Sequence, residues 1–407
     1  MDKNLPRLLL ISEVSLSERE TGINRTLFNL FEDYPSDRFM LYAPDQSLKN
    51  DPTASIFQTN IAAFPEQFFP YQRNRLGFLF NPLFTSLNYQ LIDWLPLASY
   101  QKIADFSPEV ILICPNGSLA LLMGYKLIQY FDAPFLIYFM DDWVALNHVR
   151  WLTGNVQSIC QFILQKAAGW LMISPQLEQE LAERYKIKPQ RSLIVHNPVD
   201  LSNNRLPDFT PQFRDNFRVV YAGAIWPMHY DAVAVVAEAI YELRRDGVDI
   251  ELVLNTPANF WNAYQENWEK WQVTYGNLIP YQELNQYLQK ADLLLVASSF
   301  LPENSHMTRC SVQTKLTDYM ASGRPILACG PNYSACNQFV KNWNCGLVSE
   351  TNLVSEMKEI LLKQKQSIAE LYCFAKNGFE VLQDNFETKK VRYKLYEFIQ
   401  QQSLHIY

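Results

Sequence analysis

Apolar positions in this chain come in short blocks. The first half carries RLLLIS at 7–12, FMLYA at 39–43, VILIC at 110–114, FLIYF at 135–139, WLMIS at 170–174 and LIVH at 193–196. Four to six apolar residues without polar alternation read as a strand buried on both faces, as in a parallel sheet covered by helices. Stretches with helical spacing lie between most of them, such as 23–32 and 176–185. The second half repeats the layout with FRVVYAG at 217–223, IELVLN at 250–255, LLLVAS at 293–298 and PILAC at 325–329. Strand–helix alternation twice over predicts an α/β protein of two Rossmann-like, doubly wound domains. The stretch 197–214, with three prolines and no periodicity, is the expected linker.

Length agrees, because single cores stop growing near ~250–300 residues and this chain has 407. An apolar share of 48% against 19% charged excludes a disordered chain. A net charge of −7 with neither half basic excludes a nucleic-acid binder. Seven scattered cysteines without a C-x-x-C pair fit free thiols in a cytoplasmic protein better than a disulfide framework. The start, MDKNLPRLLLISE, lacks the longer apolar region of a signal peptide, and no apolar stretch approaches the ~20 residues of a membrane span. Five scattered histidines give no paired ligand motif, so no metal site is expected.

One region breaks the pattern. Residues 65–97 are dense in aromatic rings and include Arg73 and Arg75. Two readings stay open: an aromatic insert packed on its own domain, or an amphipathic surface on which Phe68, Phe69, Tyr71, Arg73 and Arg75 make peripheral contact with an anionic membrane at its inner face.

The densest candidate chemistry lies at QTKLTDYMASGRPILACGP, 313–331. A helix opening at Lys315 after an irregular loop offers free N–H groups and a positive dipole end, which suits a diphosphate. Lys315 adds a point charge and Arg309 a planar fork. Asp318, one turn on, has an equally ordinary reading as an acid stabilising the helix start. Gly223 follows a strand and precedes a helix, where ligands sit on a doubly wound sheet.

The 313–331 segment resembles the "K-L-x-E-Y-x-A-x-G-x-P" box of GT-B fold glycosyltransferases of family 4. VVYAGAIWPMHYDAVAVVAEAIYEL at 219–243 and VTYGNLIPYQELNQYLQKADLLLVAS at 273–298 resemble the same nucleotide-binding domain. TGINRTLFNL at 21–30, FMDDW at 139–143, ISPQLEQEL at 173–181 and VHNPVD at 195–200 are similar to the acceptor-side domain, in the family's order.

The resemblance implies an acceptor-side domain over 1–200, a nucleotide-sugar domain over 201–384, and a C-terminal helix, 385–407, packing back on the first, with the two domains facing across a cleft. It implies a hexosyl transfer from a nucleotide diphosphate sugar to an acceptor hydroxyl, retaining, without metal or other cofactor. The acceptor is expected to be a sugar or a lipid-linked sugar in polysaccharide or glycolipid synthesis. Gly22, Arg25, Gly223, Arg309, Lys315, Leu316 and Asp318 are implied donor-binding residues, and Asp141, Asp142 and Glu303 catalytic ones.

Three departures support a competing class, a non-catalytic relative that senses sugar nucleotides or serves as a partner subunit. Ala224 and His229 stand where the family often has Arg and Lys. Met140 stands where it has His. Cys310 stands eight positions before Asp318, where it often has an acid, leaving Glu303 as the nearby substitute. Asn304, Ser305 and His306 beside it read equally as a lid.

Overall fold

The structure, a computed structural model, describes residues 5–16, 22–44, 60–64, 80, 83–84, 86–88, 90–91, 99–146, 154–202, 206–211 and 216–403. The chain divides into two compact units, one of Met1–His196 with Val391–Tyr407 and one of Asn197–Lys390. Phe68, Phe69, Tyr71, Arg73 and Arg75 lie outside the described residues. Among the described residues no helix is long and apolar enough to cross a membrane.

The first unit runs β1 (Leu8–Ser12), α1 (Ile23–Phe31), β2 (Phe39–Pro44), β3 (Ile61–Phe64), α2 (Tyr100–Phe106), β4 (Val110–Cys114), α3 (Ser118–Leu127), β5 (Phe135–Phe139), α4 (Gly154–Lys166), β6 (Gly169–Met172), α5 (Pro175–Tyr185) and β7 (Ser192–Ile194). Its seven strands are ordered β3-β2-β1-β4-β5-β6-β7, with every pair parallel. Each residue of β1, β4, β5 and β6 is buried, the outcome expected for runs such as LLLIS and VILIC between two helical layers. Strand order reverses between β1 and β4, whose registers join Leu8 to Val110 and Ser12 to Cys114. Crossovers leave these two strands in opposite directions, so a crevice opens at their C-terminal ends.

The second unit runs β8 (Phe217–Ala222), α6 (Pro227–Arg245), β9 (Ile250–Asn255), α7 (Ala258–Asn262), α8 (Gln265–Lys270), β10 (Thr274–Tyr275), α9 (Tyr281–Leu288), β11 (Leu293–Ala297), α10 (Ser305–Cys310), α11 (Lys315–Ser322), β12 (Ile326–Cys329), α12 (Ala335–Asn342), β13 (Leu347–Ser349), α13 (Val354–Gln366) and α14 (Ile368–Asn385). Its six-stranded sheet, β10-β9-β8-β11-β12-β13, is again parallel and reverses between β8 and β11. One face packs Val219, Tyr221, Leu252 and Leu295 against α6, and the other packs Val220, Leu294 and Val296 against Leu316, Tyr319 and Met320 of α11.

The last helix, α15 (Thr388–Ser403), carries the chain from the second unit into the first at Val391. Its Val391, Leu395, Tyr396 and Ile399 belong to the first unit's core. Arg392, only 3% exposed, bonds the Asn29 carbonyl and both Glu32 and Asp33 beyond α1. A Cβ added to Gly169 would meet the Phe398 ring at 2.7 Å, so glycine is what lets this helix approach β6.

Candidate active site

In the second unit the strand order places the ligand end at the C-termini of β8 and β11. β8 is followed by Gly223, whose φ of +123° is costly for any residue with a Cβ. Its N–H donates to the Asn255 carbonyl at 2.8 Å, which turns the chain across the end of β9. A Cβ at Gly223 would lie 3.3 Å from Lys315 Nζ. Two residues 92 positions apart in sequence, read separately as donor-binding, therefore meet.

Lys315 opens α11, whose N-terminus no side chain caps. Its Nζ is shielded from solvent, finds no hydrogen-bond acceptor among the described residues, and lies 3.5 Å from the centre of the Tyr221 ring. Burial pushes this amine down to about 7. A cation formed here has no anionic partner among the described residues and lies at the positive end of a helix, an arrangement that an incoming anion completes.

Asp318 lies one turn along α11, half-buried, and accepts from the Tyr281 hydroxyl of α9 at 3.0 Å. Leu316 is placed differently from the expectation. Its side chain is fully buried in the core and its N–H is taken by the Gln313 carbonyl at 3.1 Å, so it packs the helix onto the sheet and offers nothing to a donor. Arg309 is exposed on α10, its guanidinium 4.8 Å above the Tyr333 ring. The ring supports that guanidinium, which makes no ion pair among the described residues.

Of the positions that depart from the family pattern, Met140, His229 and Cys310 are buried and Ala224 is half-buried. His229 is buried, with Nδ1 3.2 Å from both the Tyr221 hydroxyl and the Ala224 carbonyl. Burial and the neighbouring Lys315 push it down to about 3, so it stays neutral. Cys310 is fully buried in α10. Glu303 is exposed on the turn Pro302–Asn304. This segment is tied down rather than loose: Asn304 Nδ2 donates to Ser299 Oγ at 2.9 Å, and the Phe300 N–H to Asp231 at 2.7 Å.

In the first unit, Met140, Asp141 and Asp142 follow β5 directly. Trp143 starts a short helical turn, and its Nε1 donates to the Pro115 carbonyl at 2.8 Å, joining the ends of β5 and β4. The two acids part company here. Asp142 has a side chain that is 0% exposed and receives the Arg184 guanidinium in a fork, at 2.8 Å to Oδ1 and 2.5 Å to Oδ2. Its carboxylate is committed to α5, which corrects its expected catalytic role. Asp141 remains half-buried at the strand end.

Glu13, which the sequence reading passed over, lies just beyond β1 at the switch point. It accepts from the N–H groups of Asn116 at 2.7 Å and Ala120 at 2.9 Å, capping α3 and fixing the loop next to Trp143. Burial pushes its carboxyl up to about 7, against the opposing pull of those N–H groups. An acid directly after the first strand was the available signal. Gly22 is the N-cap of α1 with φ +67°, and its carbonyl accepts from the Thr26 N–H and hydroxyl. Arg25 is half-buried in the first turn of the same helix. Among the described residues no group of three His, Cys, Asp or Glu side chains is placed to hold a metal.

Comparison with known proteins agrees with this geometry. Residues 216–364 match the family described as glycosyl transferases group 1. No curated protein matches the chain in sequence. Among solved structures, HepE from Anabaena in complex with UDP and glucose is 13% identical, with 97% of this chain and 99% of that one covered and a TM-score of 0.68. Sucrose-phosphate synthase from Thermosynechococcus elongatus is 16% identical over 97% and 98%, with a TM-score of 0.71. The trehalose 6-phosphate synthase of Burkholderia multivorans is 10% identical over 98% and 97%, with a TM-score of 0.61. Residues 216–364 thus match the glycosyl transferases group 1 domain, and the chain has the GT-B fold.

Proposed function

We propose that this protein moves a hexose from a uridine diphosphate sugar to an acceptor hydroxyl. The observation that carries the reading is Lys315, a shielded amine without an acceptor at the uncapped N-terminus of α11, beside a glycine turn that leaves room for phosphate oxygens. HepE, solved with UDP-glucose, supplies the choice of nucleotide.

In the transfer, the bond from the anomeric carbon to the diphosphate oxygen breaks and its electron pair stays on that oxygen. The acceptor oxygen forms the new bond and loses its proton. Lys315 and the α11 N-terminus stabilise the charge on the leaving diphosphate, and Arg309 adds a second cation. Asp318 takes the ribose hydroxyls, with Tyr281 holding its carboxylate. Asp141 is assigned to a hydroxyl of the acceptor, as base or as anchor, with Gly22 and Arg25 at the start of α1. The resemblance of 313–331 supports a retaining, metal-independent transfer. The ring-rich stretch 65–97 supports a sugar or lipid-linked acceptor at the inner face of the cytoplasmic membrane, in surface polysaccharide or glycolipid synthesis.

Thermal unfolding with UDP-glucose tests the reading. At 100-fold above its dissociation constant the ligand stabilises by about 2.7 kcal/mol. Lys315→Met is expected to remove most of that shift while leaving the unliganded melt intact. A wild-type protein indifferent to millimolar UDP-glucose refutes the reading.

A further inference from the structure

The cradle around Lys315 has a consequence for how a donor is bound. We propose that above neutral pH Lys315 is a neutral amine before the donor binds and becomes an ammonium when a sugar-linked diphosphate is bound, so that under those conditions donor binding draws a proton in from solution. This rests on the donor site described under Proposed function and adds the ionisation state of its lysine.

The geometry argues for neutrality before binding. Lysine is normally charged because water or a carboxylate receives its three N–H bonds. Here Nζ is shielded, has no acceptor among the described residues, and makes no ion pair. The groups that face it supply no negative charge. Tyr221 on β8 is kept protonated by burial, and the burial of Cys336 on α12 raises its thiol in the same sense. His229 on α6 is neutral, and Tyr319 on α11 itself keeps its proton. The nearest acid along the helix, Asp318, is bonded to Tyr281. The helix N-terminus presents its positive end, which disfavours a cation further. Cys336 and the face of the Tyr221 ring favour the ammonium, but neither replaces the lost hydration of three donors, and burial outweighs both. Burial accordingly brings this amine down to about 7. A diphosphate reverses each element, since it supplies acceptor oxygens and negative charge at the place where Nζ has neither.

The proton balance is simple. The free amine gains one proton from the buffer, the diphosphate diester keeps its charge, and no bond to the sugar is touched. Linkage fixes the magnitude and sign. With the free amine at about 7 and the bound one far above, uptake is roughly 0.9 proton per donor at pH 8 and roughly 0.1 at pH 6. Affinity is flat below pH 6 and falls towards tenfold per pH unit above 7.

The experiment is titration calorimetry of the full chain with UDP-glucose, chosen because its diphosphate has no ionisation near neutrality. Each pH is run in two buffers of different ionisation enthalpy, and the difference in heat counts protons. The expected result is uptake approaching one at pH 8 and vanishing at pH 6. Lys315→Arg, which stays charged, is expected to bind with no uptake at either pH, and Lys315→Met to bind weakly with none. Wild-type binding with heat independent of buffer at pH 8 overturns the proton linkage and leaves the donor site standing. Uptake that persists in Lys315→Arg overturns the assignment to this lysine. No binding at any pH overturns the donor reading itself, and the linkage with it.

Discussion

Replacing Arg184 by Met is the sharpest test of how the first unit's strand end is built. The change removes the fork that satisfies Asp142 and leaves a carboxylate whose side chain is 0% exposed. Breaking a buried pair by deleting one partner costs about 3–5 kcal/mol, because the remaining charge is stranded. An exposed pair would cost only ~0–1 kcal/mol, so burial decides the prediction. For a unit of roughly 200 residues the loss lowers the melting temperature by roughly 6–20 °C. Asp142→Asn costs less, about 1.5–3 kcal/mol for the charged hydrogen bonds, since Arg184 is 22% exposed and keeps Glu180 at 3.1 Å. The double variant should sit well short of the sum of the singles. Urea unfolding monitored by circular dichroism and tryptophan fluorescence measures all three. Activity per folded molecule separates the acids, with Asp142→Asn retaining transfer and Asp141→Asn losing it. An Arg184→Met variant within ~1 kcal/mol of wild type would refute the reasoning, as would transfer abolished in a stably folded Asp142→Asn.

Two further predictions concern other acids. Glu13 holds its proton more tightly folded, at about 7, than unfolded, at its ordinary value of 4.5, so its contribution is fully present below 4.5 and is lost as pH rises through 7. The stability difference between wild type and Glu13→Gln should therefore change by up to about 3 kcal/mol across that window, and a constant difference in unfolding experiments at pH 4.5 and 7.5 contradicts it. Asp318→Asn should weaken UDP more than its 2′-deoxy analogue in a binding titration, with Tyr281→Phe shifting the same way by less. Equal losses for both ligands would return Asp318 to tying α11 to α9.

Much of the fold was legible because interior parallel strands are continuous apolar runs. The strands that escaped, β3, β10 and β13, are edge or near-edge elements of four, two and three residues, too short to leave a run. Within the site, Gly223 and Lys315 were legible because each is fixed by local needs, a turn with positive φ and a helix start. Their contact was not, and neither was the pairing of Asp142 with Arg184, 42 residues on. Two adjacent acids look alike in sequence until a distant helix claims one of them. Leu316 misled for the opposite reason: it sits in the motif because it packs, not because it binds.

The crossing at Val391 sets a timetable for synthesis. The first unit's core is complete only when Leu395, Tyr396 and Ile399 arrive, and its Arg392 contacts reach back some 360 residues to Glu32. Residues 197–390 must emerge in between, which at ~5–20 residues per second is roughly 10–40 s. The second unit is continuous in sequence and can close while the first waits with an unfinished apolar face. An N-terminal unit that normally folds first here folds last, and removing the final helix would unmake the beginning of the protein before touching its middle.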